Sequence, residues 1–305
     1  MLELPLTLVP AGPQAAPVST LSWILFAGGT AITLLVLGFL AVAVWGPAGL
    51  RATLSGERTI IIGGLAFTIS VLSVLLVVGL GMTASLASNR DEDMLTIEMT
   101  GLRWWWRIEY PGFETANELV IPAGEPVRIE LRSEDVLHSF WVPQLAGKRD
   151  MIPGKDNSLV IEADAPGIYE GFCTEFCGTA HALMQFRAIA LSRDDYARWA
   201  ANQALPAAPP RTDLASAGQE LFQTLGCGSC HNVEGTRAKG RTGPDLSHIA
   251  SRTQLGAGVL PNNEGTLAGW TANPHNSKPG VLMPGYANLS SFELRALAAY
   301  MVGLE

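Results

Sequence analysis

Two apolar runs near the start of the chain constrain its fold more than any other feature. Residues 21–45 and 59–86 contain no charged side chain. Each is long enough to cross a hydrocarbon core, which takes about 20 helical residues. A buried core helix is the competing account, but uncharged apolar runs of that kind are shorter, about 10–14 residues. A cleaved export signal needs a basic start and a short apolar core. Residues 1–20 hold neither Lys nor Arg, and the run that follows is too long. Two membrane-spanning helices are therefore expected within residues 21–86, behind an N-terminal tail of residues 1–20. The connection between them carries Arg51 and Arg58, whereas the tail has only Glu3. That asymmetry places the connection on the cytoplasmic side and both termini outside.

Beyond the second run, Arg90-Asp-Glu-Asp93 marks the exit into water. Residues 94–195 then read as short strands, at 95–99, 118–121, 127–131 and 158–162, rich in β-branched residues and punctuated by Pro and Gly. Such spacing predicts a β-sandwich or Greek-key barrel. Residues 200–212 are rich in Ala and Pro, the composition of an extended, semi-rigid linker. Residues 213–305 are different again, with helical patterns between Gly/Pro/Asn loops. Ser290-Ser-Phe-Glu293 predicts a capping box opening a last amphipathic helix. The net charge of −8 is concentrated in the β segment. It either attracts basic partners at long range or keeps an exported surface soluble, and no nucleic-acid partner is expected.

Four cysteines occur as two close pairs, Cys173 with Cys177 and Cys227 with Cys230. Exported domains ordinarily oxidise cysteines to disulfides. Here each pair sits in a ligand-like motif with a histidine close behind, and no cysteine is left over. The first motif reads Cys173-Thr-Glu-Phe-Cys177-Gly-Thr-Ala-His181-Ala-Leu-Met184. Thiolate, imidazole and thioether are the ligands copper takes in electron-transfer sites. One cysteine with His and Met would mark a mononuclear blue-copper site, whereas two thiolates in a tight loop suit the bridging of two copper ions. A dinuclear site needs a second terminal histidine, and His138 is the other histidine of this segment. A disulfide would leave His138, His181 and Met184 without a common role, and zinc has little use for a methionine.

Over residues 20–195 these features resemble subunit II of haem-copper cytochrome c oxidases. The resemblance implies a cupredoxin-like Greek-key domain holding a dinuclear copper centre of the CuA type. It implies Cys173 and Cys177 as bridging ligands, His138 and His181 as terminal ligands, Met184 as a weak axial ligand, and the backbone carbonyl of Glu175 on the second copper. In the family that glutamate side chain also reaches a magnesium ion at the contact with subunit I, which marks Glu175 for the same role. Trp104-Trp-Trp106 resembles the family's aromatic segment. Taken alone such a cluster is core, but the resemblance makes Trp104 the exposed edge through which electrons enter. Arg103 and Arg107 around it depart from the family's segment, so the docking surface is expected to differ from that of a subunit served by an external cytochrome. Many members place a glutamate at the start of the second span, near a proton channel of subunit I. Glu57 is the candidate, its surroundings match poorly, and it reads as an ordinary charged loop residue.

Cys227-Gly-Ser-Cys230-His231 is the attachment pattern of c-type haem, in which two thiols add to the vinyl groups and the histidine ligates iron. A helical pattern containing Gly218 and Phe222 precedes it, and Gly243-Pro-Asp-Leu246 follows. Residues 213–305 resemble class I cytochromes c. That implies an all-α fold and a hydrogen bond from the His231 imidazole to the carbonyl of Pro244. Two downstream methionines compete for the sixth position. Met301 sits among apolar neighbours and reads as core, while Met283, in Val281-Leu-Met-Pro-Gly-Tyr286, lies where similar cytochromes place their ligand. His248 and His275 read as surface or loop residues, His275 being the alternative in a bis-histidine haem. Trp270 is expected to reach a haem propionate with its indole N–H or to pack on the haem edge.

Both resemblances in one chain imply subunit II of a caa-type oxidase with a cytochrome c domain fused behind it. Electrons from a soluble cytochrome c, or from the preceding respiratory complex, would enter at His231 and Met283. They would cross to copper near Trp104 and continue to subunit I, where oxygen is reduced and protons are pumped. The chain shows no oxygen-binding site and reads as one component of an oxidoreductase in a bacterial inner membrane, with other oxidase subunits as partners. Its cofactor domains are expected on the periplasmic side. A CuA-containing subunit of a nitric oxide reductase stays open, as does a free-standing electron carrier or copper-delivery protein. A quinol oxidase subunit is disfavoured because the copper ligand positions are filled.

Overall fold

The structure, a computed structural model, describes residues 4–87 and 94–305. Glu3 and the charged segment 90–93 lie outside the described residues. The chain forms two compact units, residues 1–9 with 16–92 and residues 10–15 with 93–305.

The first unit is helical: α1 (Ala16–Trp45), α2 (Ala48–Leu54), α3 (Glu57–Thr59), a π-helical stretch Ile60–Ala66, and α4 (Phe67–Ala87). The rods Ala16–Trp45 and Glu57–Ser85 have mean hydropathies of 2.3 and 2.6, and their most apolar windows bury nothing inside the protein. A helix apolar all round belongs in a core or a bilayer, and by length and composition both are candidate membrane spans. Their hydroxyls bond back to carbonyls one turn earlier, as Thr33 to Gly29, Thr68 to Gly64 and Thr83 to Gly79. These hydroxyls are thus satisfied within the rod, as hydrocarbon would require. Glu57 is not a loop residue: it opens the second rod, in the first turn of α3. An acidic side chain there complements the positive end of the helix dipole.

The second unit begins with a two-sheet sandwich. One sheet has the order β3 (Phe113–Ala116), β2 (Trp105–Tyr110), β1 (Leu95–Leu102), β5 (Val127–Ser133), β8 (Asn157–Ile161). The other runs β4 (Glu118–Pro122), β10 (Gln185–Leu191), β9 (Gly167–Cys173), β6 (His138–Trp141), β7 (Arg149–Met151). The β1–β5 and β10–β4 pairs are parallel and the remaining pairs antiparallel. Alternation builds the core between the sheets: Val127, Ile129 and Leu131 of β5 are buried, as are Phe186, Ala188 and Ala190 of β10. Strands β2, β9 and β10 carry weak sequence signals because tryptophans, glycines and alanines replace the usual β-branched residues. Gly171 of β9 is a packing requirement, since a Cβ there would lie 2.3 Å from the ring of Phe186.

Helix α5 (Arg193–Gln203) follows, with the Ser192 side chain capping it through the N–H of Asp195. Residues 200–203 therefore complete a helix instead of opening the linker. The reason is local: Trp199 packs against Tyr110 and Phe113, with ring centroids 5.2 and 5.5 Å away. Helices α6 (Asp213–Thr224), α7 (Glu264–Ala272) and α8 (Ser291–Met301) then build a second core of Phe222, Val233, Leu267, Leu297, Tyr300 and Met301. The predicted capping box forms, Ser290 and Glu293 bonding each other's backbone N–H. Gly218 lets α6 and α8 touch, as a Cβ at this residue would lie 1.9 Å from the carbonyl oxygen of Ala296.

Candidate functional site

Strand β9 ends at Cys173, and the loop to Met184 folds back beside β6, which begins with His138. The Sγ atoms of Cys173 and Cys177 are 3.7 Å apart, and both cysteines are free. His138 Nδ1 lies 3.8 Å from the first sulfur, and His181 Nδ1 lies 3.6 Å from the second. Met184 Sδ is 3.8 Å from Cys177 Sγ, and the carbonyl oxygen of Glu175 is 3.3 Å from Cys173 Sγ. All six donors expected from the sequence thus gather on one sulfur pair, one imidazole to each cysteine. The ligand atoms of His138, Cys173 and Cys177 lie within 4.8 Å of one another, and all three residues are buried. Gly101 of β1 makes room for the imidazole, because a Cβ there would meet the His138 ring at 2.9 Å.

The electrostatics suit a cation. Hydrogen bonding from the Cys177 thiol, against the cost of burial, brings Cys173 down to about 4. The same contact, with burial, pushes Cys177 upward. A metal bound there must displace any proton the sulfur pair retains. Burial pulls His138 down, but its contacts with the Asp135 carboxylate and the Cys173 thiol outweigh it and raise the group above its ordinary value. Asp135 was not anticipated. Its Oδ1 lies 2.8 Å from His138 Nε2, and its carboxylate also accepts from the backbone N–H of Val136 and Arg103. A carboxylate on the outer nitrogen orients a ligating histidine. Two soft sulfurs flanked by imidazoles and a thioether fit a bridged copper pair. The Glu175 carboxylate stands 3.6 Å from Lys148 Nζ.

At the second motif, His231 Nδ1 lies 2.7 Å from the carbonyl oxygen of Pro244, as expected, which leaves Nε2 for a metal. Burial lowers the His231 imidazole below its ordinary value, favouring the neutral, ligating form. Gly243 lies flat against that ring, where a Cβ would come within 2.6 Å. Cys227 and Cys230 are free. Tyr286, three residues beyond Met283, bonds the Cys227 thiol with its side chain, which ties the methionine loop to the cysteine motif. The arrangement fits a covalently held haem. Trp270 packs its ring over Gly256. His275 is exposed, but His248 is buried and not at the surface. Burial also lowers His248, and its Nε2 has no protein partner.

The two motifs belong to one compact unit, and the expectation of an exposed Trp104 is corrected by what lies between them. Trp104 is only 7% exposed. Its indole N–H donates to the carbonyl oxygen of Cys177 at 3.0 Å. Lys278, from the helical domain, donates from Nζ to the carbonyl oxygens of Trp104 (2.6 Å) and Gly256 (2.7 Å). Nearby, Arg241 Nη2 reaches Glu109 at 2.6 Å and Glu114 at 2.8 Å. Arg107 bonds Glu134 and the carbonyl oxygen of Arg241. The buried Glu118 carboxylate accepts from the N–H groups of Thr253 and Gln254. Individual basic side chains of the helical domain, Arg241 above all, thus meet carboxylates of the acidic β domain within the chain.

Comparison with known proteins agrees with this division. Residues 112–190 match the family described as "Cytochrome C oxidase subunit II, periplasmic domain", and residues 215–305 match "Cytochrome c". Curated relatives include "Cytochrome c oxidase subunit 2" of Alkalihalophilus pseudofirmus, 40% identical over 70% of this chain and 62% of that one. The Bacillus subtilis protein of the same description is 35% identical over 71% of this chain and 64% of that one. The matched region therefore spans less than two thirds of either relative. Among solved structures, the periplasmic domain of subunit II of cytochrome oxidase of Bradyrhizobium japonicum is 31% identical, with a TM-score of 0.36, over 37% of this chain and 95% of that one.

Proposed function

We propose, for a chain that belongs to the cytochrome c oxidase subunit II family and carries a cytochrome c domain behind its periplasmic domain, the role of electron relay into a haem-copper oxidase. The donor would be a soluble cytochrome c or the preceding respiratory complex, and the acceptor subunit I. When bound, haem and copper supply the one-electron couples; the chain's residues hold them, exclude water and set their spacing. A copper pair would be held by Cys173, Cys177, His138, His181, Met184 and the backbone carbonyl of Glu175. A covalent haem would be held by Cys227, Cys230, His231 and Met283. The Glu175 side chain is assigned to a magnesium ion shared with subunit I. Residues 21–86 anchor the chain by two spans, with Arg51 and Arg58 on the cytoplasmic side and both cofactor domains, 94–195 and 213–305, on the periplasmic side.

The observation that carries this reading is the convergence of four further donors on the Cys173–Cys177 pair. The covered Trp104 supports the order of transfer, because a soluble donor has no access to a ring that the chain's own cytochrome domain encloses. Rapid mixing of the purified complex with reduced cytochrome c tests that order. Haem reduction is expected first and copper reduction after it, with copper reduction lost when Cys227 and Cys230 are both replaced by alanine. Copper reduced ahead of haem contradicts the route.

A further inference from the structure

Lys278 is 1% exposed, and both of its side-chain hydrogen bonds go to backbone carbonyls, one in each domain. Among the described residues no carboxylate pairs with it. A buried cation without a counter-charge is costly, and an apolar side chain of similar length would fill the space without that cost. General adhesion between the domains does not account for it, since Arg241, Arg107 and Glu118 already supply charged contacts elsewhere on the interface.

What distinguishes Lys278 is where its grip falls. Two residues on, Gly280 has φ +85°, and a Cβ there would lie 3.4 Å from the Trp104 ring and 3.3 Å from Thr179. Gly178, with φ +114°, would place a Cβ 3.1 Å from the same indole. Neither position accepts a side chain without moving the ring or the loop. The indole is therefore approached both by the copper-motif loop and by the loop that continues three residues to Met283. Its N–H bond to the Cys177 carbonyl finishes a chain of contacts from one cofactor motif to the other. Among the described residues, the Lys278 hydrogen bond ties this loop directly to the Trp104 backbone.

We propose that Lys278 is a positioning residue for transfer between the two cofactor sites, clamping the Met283 loop onto Trp104 where Gly280 and Gly178 both approach the indole. This rests on the relay reading above and deepens it. One electron leaves the haem and is gained by the copper pair; Lys278 is neither oxidised nor reduced, and no proton need move.

The test uses the full chain in detergent, carrying Lys278→Met, with Arg241→Ala as a comparison that loosens the interface away from the ring. Two readouts are taken. Hydrogen exchange at residues 178–181 and 278–283 needs neither cofactor and reports the clamp; Lys278→Met is expected to lose protection there while Arg241→Ala keeps it. The haem-to-copper rate after photoreduction reports the consequence, with a slowing of about tenfold expected for Lys278→Met at unchanged copper and haem spectra. Unchanged exchange, or a rate slowed no more than by Arg241→Ala, overturns the proposal. Chains lacking copper or haem altogether would instead sink the relay reading, and the exchange result would still decide the clamp.

Discussion

Asp135 Oδ1 holds His138 Nε2 at 2.8 Å, which leaves Nδ1 as the nitrogen that faces the Cys173 sulfur. The carboxylate is itself pinned by two backbone N–H groups, one of them next to Trp104. Loss of such an outer partner typically costs about 10–100-fold in metal affinity. Asp135→Ala is expected to weaken copper binding by that factor, with Asp135→Asn less affected because it keeps an acceptor oxygen. Copper retention against a graded chelator checks this, and an Asp135→Ala chain that holds copper as tightly as wild type would remove Asp135 from the account.

The α6–α8 contact predicts a stability effect confined to the helical domain. A Cβ on Gly218 would overlap the Ala296 carbonyl and press on the Cβ of Tyr300 at 2.9 Å. Overpacking of this kind costs about 1–3 kcal/mol. Gly218→Ala should lower the denaturation midpoint of the helical domain and leave the β domain unaltered. A midpoint equal to wild type contradicts the close packing.

The interface charges should differ in weight. Arg241 is more than half exposed, so replacing it with alanine is expected to cost about 0–1 kcal/mol of docking. Glu118 is buried and serves the N–H groups of Thr253 and Gln254. Glu118→Ala leaves those donors unsatisfied, at about 1–3 kcal/mol. Protease sensitivity of the Ala/Pro linker reports undocking, and greater sensitivity in Arg241→Ala than in Glu118→Ala would reverse this ranking.

Burial brings the Lys278 ammonium down to about 7 in the docked chain, whereas a solvated lysine titrates near 10.4. Between those values the undocked state binds more protons, so docking strengthens as pH rises through that window and is weakest below its lower end. A neutral amine still has N–H groups for the Trp104 and Gly256 carbonyls. Linker proteolysis should therefore slow from pH 7 to 10 in wild type relative to Lys278→Met. A difference that is flat or opposite in sign disproves the assignment.

Much of this site was legible because its chemistry is local. Cys173, Glu175, Cys177, His181 and Met184 share one loop, and Cys227, Cys230 and His231 fall within five consecutive residues. Strands with alternating β-branched residues were legible for the same reason. The interface was not. Lys278 and Trp104 are 174 residues apart, and nothing in the local pattern of Ser277-Lys-Pro-Gly280 marks a lysine that is enclosed. The burial of Trp104 followed from that omission, since its cover comes from the other domain. Glu57 was misplaced because its neighbours, Gly56 and Arg58, resemble a loop, while the helix begins on it. His248 looked like a surface residue beside Ser247 until packing closed over both.

The central claim is that one chain holds a bridged copper pair and a covalent haem in series. Metal and haem analysis of the purified chain, with its optical and electron paramagnetic resonance spectra, tests it most directly. The account predicts two coppers sharing one unpaired electron and one haem that resists acid–acetone extraction, with the copper signal abolished by Cys173→Ser. A single copper, a zinc ion, or a Cys173–Cys177 disulfide with no copper would contradict it.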